Sequence, residues 1–353
     1  MPVIKSLGYN ITIGKDALRS LSAFLKKTNF SSCFIICDEN TIQFCLPKLI
    51  TTCSILKDAE IIELESGETS KSLEFSAHIW QTLIENNADK NSLIINLGGG
   101  VVSDLGGFCA STYKRGIDFI NVPTSLLAMA DASVGGKTGI DFAGLKNSIG
   151  TFAQPKAVFV DPEFLKTLPA RHYKNGLAEI FKMALISDKK FWEELKNLKP
   201  DHKAEQLVTK SITLKNKIVV KDPLDKGTRK ILNFGHTIGH AIESLLLGTN
   251  EELLHGEAIV IGMLTESHIA FQKKFITKKE LDEITFTLKK VFEPKKIGQL
   301  NFSAIFALLK NDKKTSKNKL KFSLIHKTGT CKFDVEVNES QIKKAIDLYN
   351  TSA

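Results

Sequence analysis

The sequence contains no run of about 18 apolar residues, so it predicts no transmembrane helix. Its first ten residues lack the apolar core of a signal peptide. The six cysteines form no Cys-x-x-Cys pair and stand mostly in apolar segments, which indicates reduced core residues. Internal repeats and low-complexity linkers are also absent. These absences favour a globular, cytoplasmic protein that does not bind a membrane.

The formal net charge of +9 raises the question of nucleic-acid binding. The lysines are mostly scattered, however, and the one dense cluster, from Lys310 to Lys321, has apolar residues on both sides, unlike a basic tail. We therefore expect no nucleic-acid partner. The basic residues indicate a solvated face or an anionic small-molecule substrate.

A chain of 353 residues is long enough for two domains, each with a core. In the first half, helix-like segments alternate with short apolar runs, at 32–37, 60–64 and 92–97. This alternation is typical of a parallel sheet flanked by helices, where ligands bind at the carboxyl ends of the strands. After a last strand-like run the pattern becomes mainly helical. We predict an α/β domain over residues 1–161 and a mainly α-helical domain over residues 162–353.

Three glycines, Gly98 to Gly100, directly follow the third apolar run and precede a helix-like segment. In that arrangement, backbone N–H groups can approach a pyrophosphate at a helix N-terminus. The stretch is not the standard dinucleotide fingerprint, because Ser103 stands where the third glycine belongs. The candidate ribose-binding acid, Asp38, lies upstream of the glycines rather than downstream. A nucleotide-binding turn and a tight turn without a ligand both fit this stretch.

The stretch Ser133-Val-Gly-Gly-Lys-Thr138 is similar to the phosphate-binding loop of NTPases. Asp131 stands where that motif needs its first glycine, and no strand precedes the loop, so an NTPase is excluded. Lys137 can still bind a phosphate as a point charge.

The stretch 227–244 is the most informative in the chain. As one helix it has an apolar side that would pack on a core and a narrow polar stripe on the opposite side. Gly235 and Gly239 would stand in mid-helix at a cost of about 1 kcal/mol each, which indicates that another segment packs very close. The alternative is a surface helix with two incidental histidines. The polar stripe contains Arg229, Asn233, His236 and His240.

Other candidate ligands lie on both sides of this stretch. His255 begins another apolar run, and Glu179 and Lys182 stand at i, i+3 on a helix-like segment. Imidazoles and a carboxylate are typical ligands of a zinc-like ion, but no His-Glu-x-x-His motif identifies a metalloenzyme. The residues alone do not decide between His236 and His240 as ligand. Glu179 and Lys182 are also compatible with a surface ion pair.

Three stretches together resemble the 3-dehydroquinate synthase family: Leu232-Asn-Phe-Gly-His-Thr-Ile-Gly-His-Ala-Ile-Glu243, His255-Gly-Glu-Ala258 and Gly176-Leu-Ala-Glu-x-x-Lys182. The resemblance implies an N-terminal Rossmann-like parallel-sheet domain, a mainly α-helical C-terminal domain and an active site in the cleft between them. It implies a lyase of the shikimate pathway that converts 3-deoxy-D-arabino-heptulosonate 7-phosphate (DAHP) to 3-dehydroquinate and phosphate. The steps would be transient alcohol oxidation, phosphate elimination, reduction and intramolecular aldol cyclisation. NAD, one divalent metal (zinc or cobalt) and a homodimer are also implied.

The resemblance also assigns roles to individual residues. The implied metal ligands are Glu179, His236 and His255. The implied substrate-facing residues are Asp131, Lys137, Lys182, Lys215, Arg229, Asn233, His240 and Lys314, with Arg115 contributed to the neighbouring subunit's site. The implied NAD contacts are Asp38, Asn40, Glu68, Lys71, Gly99, Gly100, Val101, Asp104, Thr124, Ser125, Lys137, Lys146, Asn147, Phe164 and Thr167.

Some of these assignments leave alternatives open. Leu145 departs from the family, which usually has glycine before the Lys-Asn pair. By pattern, Lys217 is placed as well as Lys215, and Lys313 is the alternative to Lys314.

Other functions also remain as alternatives. Another sugar phosphate cyclase would share the fold, metal and NAD, and a metal-dependent polyol dehydrogenase would give net oxidation instead. From a different class, a basic binding protein would show steeply salt-dependent nucleic-acid affinity and no bound metal.

Overall fold

The computed structural model describes residues 1–199, 202–294, 302–312 and 320–352. The strands, in chain order, are β1 (Val3–Lys5), β2 (Asn10–Ile13), β3 (Cys33–Asp38), β4 (Glu60–Leu64), β5 (Leu93–Gly98), β6 (Asp118–Pro123), β7 (Lys137–Phe142), β8 (Leu145–Phe152), β9 (Ala157–Val160), β10 (Leu320–Lys327) and β11 (Thr330–Val337). The α-helices are α1 (Ala17–Leu25), α2 (Glu39–Phe44), α3 (Leu46–Thr52), α4 (Leu73–Glu85), α5 (Gly100–Thr112), α6 (Ala170–Ser187), α7 (Lys189–Lys196), α8 (Ala204–Lys221), α9 (His236–Leu246), α10 (His255–Gln272), α11 (Lys278–Phe292), α12 (Phe302–Asp312) and α13 (Glu339–Ser352).

The chain forms two compact units: Met1–Tyr173 with Lys203–Pro223, and Lys174–His202 with Leu224–Ala353. This division differs from the predicted boundary after Asp161, because residues 162–173 and helix α8 belong to the first unit. The hydroxyl of Ser211 on α8 donates to the backbone oxygen of Ala130 at 3.2 Å. The apolar pattern of α8 shows that one side is buried, but it does not show in which core.

The first unit is built on a seven-stranded sheet in the order β1-β2-β9-β6-β5-β3-β4. All neighbouring strands are parallel except β1 and β2. Helix α5 packs against β5 and β6. Since both faces of the central strands are covered, these strands are continuous apolar runs, and Leu93 to Gly98 are all buried. The predicted α/β class and its parallel strands are confirmed.

A separate antiparallel hairpin, β7–β8, also belongs to the first unit and was not predicted. It contains the predicted functional residues Lys137, Lys146 and Asn147. A Cβ atom on Gly139 would lie 2.6 Å from the backbone oxygen of Ile149, so the cross-strand neighbour approaches too closely for a larger residue. Glycines and polar residues in both strands obscure the apolar alternation that identifies a strand.

The second unit is mainly helical, as predicted, with one antiparallel hairpin, β10–β11. Helix α10 lies at its centre and packs against α9, α11, α13 and β10. In the described parts of the chain, no helix combines the length and the apolar character needed to cross a bilayer.

The stretch 227–244 does not form the single helix predicted from its periodicity. A 3₁₀ helix, Thr228–Asn233, precedes Gly235, and α9 begins only at His236. Gly235 has a φ of +80°, a left-handed conformation that glycine adopts readily and that interrupts the helical path. The predicted close packing is confirmed, because a Cβ atom on Gly239 would lie 3.0 Å from the backbone oxygen of Ala258.

Candidate functional site

Three helices of the second unit place a carboxylate and two imidazoles around one point. Oε1 of Glu179, on α6, lies 3.7 Å from Nε2 of His236, on α9, and 3.7 Å from Nε2 of His255, on α10. Oxygen and nitrogen ligands lie about 2.0–2.2 Å from a zinc ion, so two ligands of one ion are within about 4 Å of each other. Both distances are therefore those expected between two ligands of a single divalent ion.

His240 lies beside this group. Its ring centroid is 5.0 Å from that of His236 and 5.5 Å from that of His255. One ring nitrogen from each of the three histidines lies within 4.8 Å of the others, so a three-histidine set is also possible. His236 and His255 belong to both candidate sets, whereas Glu179 and His240 each belong to one.

The histidine rings are oriented by contacts on their other nitrogen. Nδ1 of His236 lies 3.2 Å from the backbone oxygen of Phe234, which can only accept, so Nδ1 is the donor and Nε2 of the neutral ring is left free for a metal. Nδ1 of His255 lies 3.3 Å from Oε2 of Glu243. Glu243 has no role among the predictions from the sequence, although it continues the helical stripe of His236 and His240 at i+7 from His236, a signal that could have identified it.

Burial and neighbouring charges shift the pKa values of the candidate ligands. Burial lowers the pKa of His236, and the Lys182 ammonium lowers it further, well below 6.5, so this ring is neutral. Burial alone raises the pKa of Glu179, but the Lys182 ammonium and His255 outweigh that effect and lower it. Burial lowers the pKa of His255, whereas Glu243 and Glu179 raise it to about 10. A metal that binds His255 must therefore displace a proton.

Two cationic side chains of the second unit are buried, and one of them, Lys182, lies beside a candidate ligand. The side chains of Lys182 and Glu179 are 2% and 1% exposed and form an ion pair, which excludes the surface-pair interpretation. Arg229, on the 3₁₀ helix, is 3% exposed, and Asn233 at its end is half-buried. The burial of Lys182 is thus offset by its ion pair with the carboxylate of Glu179.

In the first unit, the predicted nucleotide-binding residues mostly follow the carboxyl ends of parallel strands. Asp38 ends β3, and its Oδ1 accepts from the backbone N–H of Thr41 at 2.8 Å; the next helix, α2, also contains the exposed Asn40. Strand β5 ends at Gly98, and the chain enters α5 through Gly99 and Gly100, with Val101 in its first turn. Further along this edge, the predicted residues are Glu68 after β4, Thr124 and Ser125 after β6, and Phe164 and Thr167 after β9.

A polar cluster connects three segments of the first unit: the turn at residues 68–71, helix α5 and strand β8. Nζ of Lys71 lies 2.6 Å from Oδ2 of Asp104 and 2.5 Å from Oδ1 of Asn147. Nζ of Lys146 lies 3.2 Å from Oε1 of Glu68. The structure thus brings together five of the predicted NAD contacts, which are far apart in the sequence.

The remaining predicted residues lie elsewhere. Lys215 on α8 contacts Asp131, which belongs to a π-helical turn, Ala128–Ala132. Lys137 is exposed at the start of β7. Arg115 is exposed on a surface turn with a φ of +64°. Lys313 and Lys314 lie outside the described residues.

Comparison with known proteins identifies the family. Residues 61–175 match the family model described as 3-dehydroquinate synthase N-terminal, and residues 176–315 match the model described as 3-dehydroquinate synthase C-terminal. A 3-dehydroquinate synthase from Parabacteroides distasonis is 36% identical over 346 residues, which cover 97% of this chain and 98% of that protein. The chain belongs to the 3-dehydroquinate synthase family. Within this family member, the boundary between the two matched models lies close to the boundary between the two units, after Tyr173.

Solved structures show the same fold. A 2-deoxy-scyllo-inosose synthase complexed with carbaglucose-6-phosphate, NAD+ and Co2+ has a TM-score of 0.86 and 24% identity, over 98% of this chain and 99% of that chain. A 2-epi-5-epi-valiolone synthase from Streptomyces hygroscopicus subsp. jinggangensis, with NAD+ and Zn2+ bound, has a TM-score of 0.87 and 24% identity, over 100% and 99%. At this level of identity the likeness establishes the fold alone, which this member of the 3-dehydroquinate synthase family shares.

Proposed function

We propose that the protein is a 3-dehydroquinate synthase that converts DAHP to 3-dehydroquinate and releases inorganic phosphate. The observation that supports this most directly is the grouping of Glu179, His236 and His255 in a member of this family. The reaction would combine transient oxidation of an alcohol, elimination of phosphate, reduction of the ketone and an intramolecular aldol step. It is a lyase reaction with no net oxidation of the substrate.

We propose that Glu179, His236 and His255 hold one divalent ion, zinc or cobalt. The donor set fits, because among the described residues Oε1 of Glu179 has no hydrogen-bond partner although it is buried, and it faces two Nε2 atoms. A carboxylate and two imidazoles leave a position open for substrate. Bound there, the ion would act as a Lewis acid on a substrate oxygen. His240, adjacent to the set, would transfer a proton near neutral pH.

We propose that NAD binds at the carboxyl edge of the parallel sheet in the first unit. Gly99 and Gly100 have no side chains to shield the N–H groups at the start of α5, a favourable place for a pyrophosphate. Asp38, at the end of β3, suits a ribose hydroxyl. Because the alcohol is oxidised and the ketone later reduced, NAD would be required only in catalytic amounts.

The cationic residues suit the two anionic groups of DAHP. Lys182 and Arg229 of the second unit are buried. In the first unit, Lys137 directly follows Gly135 and Gly136 in the sequence, and Lys215 contacts Asp131. A phosphate and a carboxylate require such charges, whereas a simple polyol does not. This is the feature that favours the cyclase over a dehydrogenase.

The proposal also includes assembly and location. We propose a homodimer in the cytoplasm, with the exposed Arg115 contributing to the partner's site. The six free cysteines, five of them buried, are compatible with a reducing compartment.

Phosphate release from DAHP tests the function. The purified protein, with catalytic NAD and Co2+ or Zn2+, is expected to release phosphate and form 3-dehydroquinate, identified by mass spectrometry. The Glu179→Gln variant, which keeps the shape of the side chain but removes its charge, should be nearly inactive. Turnover of glucose 6-phosphate in place of DAHP would indicate another sugar phosphate cyclase. Net NADH formation with a polyol would indicate a dehydrogenase.

A further inference from the structure

Helix α9 begins without a side-chain cap of its own. Its N-cap residue is Gly235, and the first histidine of the metal group, His236, is its first helical residue. The N–H groups of a first helical turn lack partners within the helix, and an N-cap side chain normally accepts from one of them. Gly235 has no side chain that could do so.

A carboxylate from another helix takes this role. Oε2 of Glu266, on α10, accepts from the backbone N–H of Gly235 at 2.7 Å, and Oε1 accepts from that of Ile238 at 3.1 Å. Ile238 is the third residue of the helix. In an ordinary capping box two side chains of the same segment satisfy these two N–H groups. Here the single carboxylate of Glu266 satisfies both, and it is 0% exposed.

The reach of Glu266 depends on very close packing between α9 and α10. A Cβ atom on Gly262 would lie 1.8 Å from the backbone oxygen of Gly235, so only glycine fits there. On the other side, a Cβ atom on Gly235 would lie 2.8 Å from Cγ of Met263. The two backbones are therefore in direct contact, and the carboxylate bonds to N–H groups with no water between them. The positive end of the α9 dipole further favours the negative charge of Glu266 at the start of this helix.

Helix α10 thereby links two metal-ligating histidines. It begins at His255 and reaches Glu266 about three turns later, without interruption. Helix α10 thus contains one proposed ligand, His255, and also Glu266, whose carboxylate fixes the start of α9. The other histidine, His236, is the first residue of α9. We propose that Glu266 is a positioning residue that sets His236 relative to His255 for metal binding. This inference rests on the proposed metal site.

Cobalt binding tests it, with Co2+ alone as the probe. The Glu266→Gln variant keeps the size of the side chain, but its amide can accept only through one oxygen and presents an N–H group to a donor. In a chelator competition it is expected to bind Co2+ about tenfold more weakly than the unchanged protein. A loss of this size is typical when a residue that orients metal ligands without contacting the metal is removed. Its visible Co2+ absorption band should shift, since the band reports the arrangement of the ligands. Glu266→Asp retains the charge with a shorter reach and should lie between the two; it replaces Glu266→Gln if that variant does not fold.

Glu280→Gln provides the matched control. Glu280 completes the capping box of α11 in the same unit, accepting from the backbone N–H of Thr277 at 2.8 Å. The control should lower the Tm but leave Co2+ affinity and spectrum unchanged. Equal loss of affinity in both variants, or an unchanged affinity and spectrum in the Glu266 variants, would overturn the positioning role. If the unchanged protein failed to bind Co2+, the proposed metal site itself would be wrong.

Discussion

Nζ of Lys215 lies 2.8 Å from Oδ1 of Asp131 and 2.7 Å from the backbone oxygen of the same residue. These two contacts fix helix α8 to the π-helical turn at Ala128–Ala132, within the first unit. Lys217, on the same helix, is exposed. The sequence pattern could not distinguish these two lysines, whereas the structure places only Lys215 beside Asp131.

Lys215→Met is therefore expected to reduce phosphate release from DAHP on the order of 100-fold, because loss of one preorganised charged contact typically has such an effect. Lys217→Met, the matched control on the same helix, should change kcat/KM less than about threefold, since exposed substitutions have small effects. The kcat/KM values of both variants decide the matter. Comparable losses of kcat/KM in the two variants would contradict a specific role of Lys215 in the reaction.

The metal assignment predicts different results for the three histidines. His236→Ala and His255→Ala should each lose the bound ion, because each removes a ligand that belongs to both candidate sets. His240→Ala should retain the ion and lose turnover. Metal content of the purified variants, by mass spectrometry, is the measurement. A His240 variant without metal, beside a His236 variant with its full content, would reverse the assignment.

The proposed role of Arg115 predicts complementation between inactive chains. Arg115→Ala and Glu179→Ala variants should each be inactive, but mixing them should restore activity in hybrid dimers, since one site per hybrid would be intact. For random exchange of equal amounts, half of the dimers are hybrids, so about one quarter of the original activity is expected. Subunit exchange is verified with differently tagged chains. Verified exchange without recovery would place Arg115 outside a shared site.

The sheet could be predicted because its central strands are apolar on both faces. Residues 32–37 and 92–97 are short, mainly apolar runs, and each forms the expected strand. The hairpin β7–β8 was missed, because Gly139 and Gly150 are required by close cross-strand contact rather than by strand propensity. The sequence gives no direct signal of such a contact.

Residue types and the family resemblance together supplied the candidate metal ligands, but not their geometry. Periodicity put Arg229 and Asn233 on one helical stripe with the histidines, yet the left-handed Gly235 ends that regularity. A glycine in mid-pattern is compatible both with a closely packed helix and with a helix start, and only the path of the neighbouring helix distinguishes them. Glu266 was missed for a related reason, since its partners are backbone N–H groups far away in sequence.

Alkaline pH should destabilise the protein in part through Cys109 on α5. Burial raises the pKa of this thiol to about 12, with a smaller opposing effect from its contact with Ser76, whereas the unfolded chain titrates near the ordinary value of 9.0. The folded pKa is the higher one, so the thiol's contribution is complete below pH 9 and is lost as the pH rises towards 12. Between about pH 9.5 and 11, the free energy of unfolding of Cys109→Ala should therefore fall less steeply with pH than that of the unchanged protein. One thiol can change this slope by at most about 1.4 kcal/mol per pH unit.

Urea unfolding of both proteins at several pH values measures this difference. Comparison of slopes, rather than absolute free energies, removes the constant effect of the smaller side chain. Below pH 8 the two dependences should be parallel. If they stay parallel up to pH 11, Cys109 does not resist ionisation in the folded state.

The redox cycle separates the proposed lyase from a dehydrogenase. An NAD site and a metal site in one chain are also compatible with polyol oxidation, which would form one NADH per turnover. Lys137, Lys182, Lys215 and Arg229 instead suit a substrate with a phosphate leaving group and a carboxylate. Catalytic NAD is therefore expected to support many turnovers, with inorganic phosphate released and no net growth in NADH absorbance. NADH that accumulates in proportion to turnover would exclude the lyase.

Lys137 provides the sharper test of the leaving-group step. Lys137→Ala should reduce phosphate release on the order of 100-fold while changing the Kd for NAD less than about threefold, because its point charge would act on the departing phosphate. Lys156→Ala is the control in the same unit; Lys156 forms an exposed ion pair with Asp118 at 3.2 Å, and its loss should affect neither quantity. Pre-steady-state measurement should show the transient NADH signal still forming in the Lys137 variant, and decaying slowly, since oxidation precedes elimination. A variant that loses NAD binding and the transient signal together would assign Lys137 to the cofactor instead.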